Sequence, residues 1–456
     1  MKKVDLTQGN IGKVLLLFIL PLMLGSLIQQ LYVMIDAVIV GQYVGKNGLA
    51  AIDSVHTLFK FPINFMNGMS AGVTILVSKY FGAKDKDGIY DSIQTALLIS
   101  LGLGVTVSLF GVAFTPSFLR IMSVPQAIYY QAESYTKVYF AGLTAIIIYN
   151  MFAAILRAMG DTKRPLYILI GCAGLNIAGD YVLVSQLGMG TTGAALATIL
   201  SQGISAVLAF CIVIRELRQD GDGRKIRLQI VPAYLWKMLK VGFPLALQSI
   251  LFPLANTMVQ ASVNTLGTND ITAWGVCDKA DMLIWLIADA MGPALTTYVA
   301  QNIGAGQYER VKRGVRIGTL LSVTGVAIVS LVLYSKMGEI GAWFLVQKDA
   351  AVIVPISCVY MKTMAFFFIF YAIGEALSGA CCSMGNTIVP MLITLVSMCL
   401  LRMLAIEFIF PKMPYMQCVV WIYVISWITY AICFFILYII RHRKFFSCTF
   451  ANTSLQ

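Results

Sequence analysis

Twelve long apolar stretches run through this 456-residue chain, over residues 12–40, 53–78, 90–114, 134–156, 165–186, 191–215, 236–264, 271–301, 314–335, 355–380, 388–410 and 416–440. A helix needs about 20 mostly apolar residues to cross the hydrocarbon core of a bilayer. It also satisfies every backbone N–H and C=O within its own segment, which lipid demands. The expected fold is therefore an all-α membrane protein with twelve transmembrane helices. Composition agrees. Charged residues make up 12% of the chain and hydrophobic ones 59%, against about 25% charged in soluble domains. That balance excludes an ordinary soluble protein. It also excludes disorder, which needs low hydrophobicity and high charge.

The net charge of +12 would suggest nucleic acid in a soluble protein. Here the basic residues sit in short gaps between apolar runs, where they set orientation instead. An even number of spans puts both termini on one side. If that side is the cytoplasm, its segments hold 23 of the 33 Lys and Arg residues. Both termini are accordingly expected inside. The apolar run after Lys2 and Lys3 continues to Gly41 with no small-residue cleavage site, so it reads as a retained first span. The ten cysteines form no CxxC pair, and the only histidines are His56 and His442. No nucleophile motif or metal-ligand cluster appears, so neither an enzyme nor a cofactor is expected.

The longest polar gap, near Glu216–Val231, falls midway and contains Gly221-Asp222-Gly223-Arg224-Lys225. The two sides of it resemble each other at a nearly constant offset. Gly45-Lys46-Asn47 matches Gly267-Thr268-Asn269, and Gly82-Ala83 matches Gly304-Ala305, both at 222 residues. Pro21 matches Pro244 at 223, and Met159-Gly160-Asp161-Thr162 with Pro165 matches Met384-Gly385-Asn386-Thr387 with Pro390 at 225. The expected organisation is an N-terminal six-helix lobe (1–215), a cytoplasmic linker (216–232), a C-terminal six-helix lobe (233–441) and a cytoplasmic tail (442–456). Six is even, so the repeats are parallel and related by a pseudo-two-fold axis along the membrane normal. Such repeats build alternating-access transporters.

A charged residue at mid-span costs about 2.5–3.5 kcal/mol on insertion scales and marks a wet cavity or a partner. Asp36 lies in span 1, with Tyr32 one turn before it. Asn176 and Asp180, four residues apart, share one face of span 5. Thr198 lies in span 6 and Asn150 in span 4. Given the orientation, Asp36, Asp180 and Thr198 fall in the outer halves of their spans. Oxygen ligands suit hard cations, and carboxyl groups away from water can also carry protons. The second half lacks this set: Val259 stands in the place of Asp36 and Ala405 in that of Asp180. It has its own polar residues in Asp281, Asp289, Glu375, Arg402 and Glu407. Glu375 is either a second ion or substrate carboxylate or the partner of a basic group such as Arg402. Pro21, below Asp36, is a bending point in span 1.

These motifs resemble the multidrug and toxic compound extrusion (MATE) family across essentially the whole chain. The resemblance rests on Pro21, Gln30-Leu31-Tyr32, Ile35-Asp36 with Gly41, Gly82-Ala83, Leu156-Arg157-Ala158-Met159-Gly160-Asp161-Thr162 with Pro165, Asn176-Ile177 with Asp180, and Gln301-Asn302-Ile303-Gly304-Ala305-Gly306. It implies an antiporter in the bacterial inner membrane that expels organic, often cationic, compounds in exchange for H+ or Na+. The chain is most similar to the DinF-like bacterial branch. That branch implies cation or proton coupling, with Na+ held if it is the ion, at Asp36, Asn176, Asp180 and Thr198. Tyr32, Pro21 and Asn150 match neighbours in the same cavity, and Glu375 is added as a cavity or gating residue. The chain departs from the NorM-like branch at Phe252, near where that branch carries a carboxylate. Expected partners are a small organic substrate and the bilayer, with a monomer and no nucleic acid. The alternative is a flippase for lipid-linked saccharides of related scaffold. It would want a cationic cavity, for which Arg402 and Lys279 are the candidates.

Overall fold

The structure, a computed structural model, describes residues 4–220 and 229–453. The middle of the expected linker, residues 221–228 with Arg224, Lys225 and Arg227, lies outside these residues, as do Lys2, Lys3 and the last three residues of the tail. Among the described residues the chain is helical, with no strand. The first half contains α1 (Ile11–Tyr43), α2 (Lys46–Gly82), α3 (Lys86–Ile121), α4 (Gln126–Ala158), α5 (Lys163–Asp180) and α6 (Gly190–Asp220). A π-helical segment, Tyr181–Gln186, follows α5 directly. The second half contains α7 (Pro232–Val263), α8 (Thr268–Ala280), α9 (Met282–Gly304), α10 (Tyr308–Ala342), α11 (Gln347–Met364), α12 (Phe368–Met384), α13 (Ile388–Thr394), α14 (Leu401–Phe408) and α15 (Met416–Thr453). Its own π-helical segment, Leu395–Leu400, joins α13 to α14.

Among the described residues ten spans are long and apolar enough to cross a membrane, and the pair α11–α12 makes an eleventh. The remaining span is α2, whose 37 residues suffice in length but include polar Asn64, Asn67, Ser70 and Thr74. The twelve-span architecture therefore stands, with three corrections to its details. The expected span 271–301 is two helices that meet at Asp281. There the buried carboxylate turns to accept a 2.9 Å hydrogen bond from Trp285 Nε1. The expected span 355–380 is bent by 49° between Met364 and Phe368. Finally, α15 runs on to Thr453, so the start of the expected tail is helix.

The chain divides into two compact units. The first is Met1–Val4 with Leu20–Ala246, and the second is Asp5–Ile19 with Leu247–Gln456. Two of the three division points fall inside helices, within two residues of the repeat prolines Pro21 and Pro244. The start of α7 joins the first unit through small residues. Gly68 and Gly72, four apart on α2, leave no room for a side chain: a Cβ on either would sit 2.4 Å from Ala246 or Gly242 of α7. The start of α1 joins the second unit through Arg310. Its guanidinium donates to the carbonyls of Leu6 (3.3 Å), Gly9 (2.9 Å) and Gln8 (2.7 Å). Asn302 adds a 3.1 Å bond to Leu6.

The repeat is visible inside each unit. α2, α3 and α6 pack on α4 in the first, and α9, α10 and α15 pack on α12 in the second. Gly45 and Gly267, 222 residues apart, both precede a helix with positive φ, 85° and 108°. A glycine adopts this conformation without steric cost. Lys84 and Gly306, at the same offset, are both left-handed, with φ of 56° and 70°. A cross-helix bond is also repeated. Thr74 Oγ1 reaches the Ala154 carbonyl at 3.5 Å, and Thr296 Oγ1 reaches the Gly379 carbonyl at 3.2 Å.

Candidate functional site

In the first unit four helices bring polar side chains together. α1 supplies Tyr32 and Asp36, α4 supplies Tyr135 and Tyr139, α5 supplies Asn176 and Asp180, and α6 supplies Thr198. Asp36 and Asp180 face one another. Asp180 is fully buried, and Asn176 is 1% exposed. Asn176 Nδ2 donates to Thr198 Oγ1 at 3.4 Å, and Thr198 Oγ1 donates to the Ala194 carbonyl at 3.1 Å. That donation leaves the Thr198 hydroxyl oxygen oriented toward Asn176. Asp180 is the last α-helical residue before the π segment, the kind of local irregularity that recurs at functional sites.

Four buried oxygens here have no hydrogen-bond donor: Asp36 Oδ1, Asn176 Oδ1 and both carboxylate oxygens of Asp180. Buried polar atoms are nearly always satisfied. Four acceptor oxygens left without donors suit a species that brings positive charge, namely a proton or a hard cation with oxygen ligands. Among the described residues no group of three or more His, Cys, Asp or Glu side chains is gathered. The donor set for a cation is therefore two carboxyl groups completed by neutral oxygens.

Of the tyrosines here, the sequence points to Tyr32 alone, and Tyr135 and Tyr139 are new. Tyr32, Tyr135 and Tyr139 all lie within electrostatic reach of Asp36. Tyr135 and Tyr139 stack with centroids 5.7 Å apart, and Phe59 packs 4.1 Å from Tyr139. Their four-residue spacing on one face of α4 was the available signal. Asn150, half-buried on the same helix, stands three turns from Tyr139 and makes none of these contacts. Pro21 lies inside α1, which stays helical from Ile11 to Tyr43. On another face of α1, Ser26, Gln29, Gln30, Val33, Met34 and Ala37 line a cleft of about 500 Å³.

In the second unit Val259 and Ala405 are buried, at 1% and 8% exposure, so these counterpart positions are apolar. Glu375 does not pair with Arg402. It accepts a 2.8 Å bond from the Tyr430 hydroxyl, while Asp289 accepts one of 2.8 Å from Tyr371. Glu375 and Asp289 are neighbours because α9 and α12 touch at Gly292 and Gly379, where a Cβ on Gly379 would meet the Gly292 carbonyl at 2.1 Å. Arg402 instead donates to Ser426 and Asn256.

Two six-span repeats, one holding a buried cluster of acceptors, define a repeat-built membrane transporter. Comparison with known proteins places it further. The MatE profile matches residues 21–182 and again 244–406, one match per repeat. The chain belongs to the MatE family of multidrug efflux transporters. The probable multidrug resistance protein YoeA of Bacillus subtilis (strain 168) is 29% identical over 75% of each chain. The probable multidrug resistance protein YpnP of the same organism is 28% identical, covering 88% of this chain and 89% of that protein. A solved outward-facing structure of a multidrug resistance MATE family transporter of the MOP superfamily has the same fold. Its TM-score is 0.88 at 23% identity, covering 97% of this chain and 98% of that one.

Proposed function

We infer that this protein is an antiporter of the bacterial cytoplasmic membrane, with both termini inside, that exports organic compounds in exchange for H+ or Na+. The four donorless oxygens of Asp36, Asn176 and Asp180 carry the reading. Positive charge entering this cluster replaces repulsion between two carboxyl groups with attraction. It therefore favours whichever conformation closes around the ion. Exchange follows if solute is held by the other conformation, because each ligand shifts the equilibrium only by its differential affinity. The relatives' names as multidrug resistance proteins support an organic substrate. The 23 of 33 basic residues in the segments assigned to the cytoplasm support the orientation.

The test is dye efflux from membrane vesicles with Na+ and pH gradients imposed separately. One gradient drives efflux in the wild type, and Asp36→Asn and Asp180→Asn each abolish that dependence. Full gradient-dependent efflux in both variants overturns the assignment.

A further inference from the structure

The acceptor cluster of the first unit has a counterpart place in the second, with opposite charge. At the 225-residue offset Tyr423 of α15 stands where Thr198 does, and Leu401, next to Arg402, stands where Asn176 does. Asn256 of α7 lies one turn from Val259, the place of Asp36. These three residues meet. The Arg402 Nη1 donates to Asn256 Oδ1 at 2.8 Å, and its guanidinium carbon lies 4.1 Å from the centre of the Tyr423 ring. Nε donates to Ser426 at 2.9 Å and Nη2 to Met398 Sδ at 3.5 Å.

All of these partners are neutral. Among the described residues no acid pairs with Arg402, although three acids in the same unit are held by aromatic side chains: Asp281 by Trp285, Asp289 by Tyr371 and Glu375 by Tyr430. Arginine stays charged in proteins, and Arg402 is 1% exposed. An ion buried with no opposite charge is costly, so a purely structural arginine would be expected to pair with one of those acids. Guanidinium has five N–H donors. The bonds above use three and leave one on each terminal nitrogen, a set suited to the two oxygens of an anionic group. Asn256 and Tyr423 are both partly exposed. The π-helical segment Leu395–Leu400 runs straight into α14, one residue before Arg402.

We propose that Arg402, with Asn256 and Tyr423, recognises an acidic group (carboxylate, sulfonate or phosphate) on the exported solute, so that substrates include zwitterions and anions. The proposal rests on the export reading above and names its substrate class.

The experiment uses two dyes that differ at one group, a rhodamine with a free carboxylate and its ethyl ester, in vesicles holding the full chain. Wild type exports both. Arg402→Met loses about ten- to a hundred-fold of carboxylate export, the range of a charged hydrogen bond, and keeps ester export. Asn256→Ala shows a smaller loss of the same selectivity. Equal change in both dyes, or unchanged carboxylate export, overturns the proposal. Should Arg402→Met not fold, wild-type protein in nanodiscs decides by fluorescence anisotropy. Displacement of the carboxylate dye by benzoate but not by benzamide supports the site, and equal displacement overturns it. Should wild type export neither dye under any gradient, the export reading fails, while the benzoate competition still decides the anion site.

Discussion

Asp36 of α1 and Asp180 of α5 turn their carboxyl groups toward each other, and neither oxygen of Asp180 has a hydrogen-bond donor. Two like charges at such a place repel, and both are ionised together only with a cation between them. In the proposed function the pair is thus a stored destabilisation that a coupling ion relieves. Asp180→Asn removes the repulsion while keeping the shape. The expected outcome is a melting temperature in detergent about 2–4 °C higher, the scale of ~1 kcal/mol in a domain of this size. Gradient-dependent efflux falls at least about ten-fold, the effect of losing about 1.4 kcal/mol of ion binding. A variant that melts earlier shows the carboxylate to be structurally satisfied instead.

In the proposed function the two acids act on one ion, so their effects are expected not to add. Residues sharing one partner couple, whereas distant ones contribute independently. Asp36→Asn/Asp180→Asn is expected to show the same residual efflux as the worse single variant. A double variant whose loss is the product of the two single losses points to separate sites. The measurement is initial efflux rate at saturating dye over a series of ion gradients.

Asn176 and Thr198 supply neutral oxygens and hold each other at 3.4 Å. Asn176→Ala removes an acceptor and leaves the Thr198 hydroxyl bonded only to Ala194. Thr198→Val keeps the shape and removes one oxygen. Each loses interactions of about 1 kcal/mol. The ion concentration for half-maximal efflux should therefore rise about five-fold for Thr198→Val and more for Asn176→Ala, with the maximal rate less affected. Ion titration of dye efflux reads this directly.

Much of this arrangement was legible in the sequence because it depends on local features. Apolar length gave the spans, and the spacing of Pro21, Gly45, Gly82 and Gly160 against their partners gave the repeat. Asp36, Asn176, Asp180 and Thr198 could be grouped by depth, since rise along a helix is a simple count. Rotation about the helix axis is not such a count. Glu375 and Arg402 were candidate partners by charge, yet α12 and α14 turn them toward Tyr430 and Asn256. Asn150 fits the family pattern but stands three turns from Tyr139. The break at Asp281 did leave a mark in the sequence, since Asp278, Lys279 and Asp281 interrupt the apolar run there, but charge alone does not separate a broken helix from a continuous one with a polar face.

Gly160 is held by two constraints at once. Its φ is 85°, and a Cβ there would lie 2.3 Å from the Val4 carbonyl oxygen, whose own amide donates to Gly160 at 3.0 Å. Gly45 has the same φ of 85° with nothing within 4 Å of the added atom. Gly45→Ala therefore carries only a backbone penalty, about 1–3 kcal/mol for a side chain at φ 85° and ψ −173°. Gly160→Ala carries that penalty together with the loss of the Val4 contact. The expected order of melting temperatures is wild type, Gly45→Ala, then Gly160→Ala. Equal values for the two variants show the Val4 contact to be without weight.

Arg310 holds the start of the chain through three carbonyls, those of Leu6, Gln8 and Gly9, and it does so in unit 2. A guanidinium donating to backbone carbonyls forms charge-assisted bonds, and here each acceptor lies ahead of the first turn of α1. Asn302 contributes only one bond to this segment, to Leu6. Arg310→Ala should free residues 5–10 while α10 itself persists, since its helical bonds do not involve the side chain. The expected outcome is loss of hydrogen-exchange protection and faster proteolysis confined to the segment before Ile11, with the global melting temperature little changed. Arg310→Lys should recover only part of the protection, because an ammonium group lacks the fork that reaches three oxygens. Unchanged exchange at Leu6–Gly9 in Arg310→Ala would show that Asn302 and the packing of Leu6, which is fully buried, hold the segment without it.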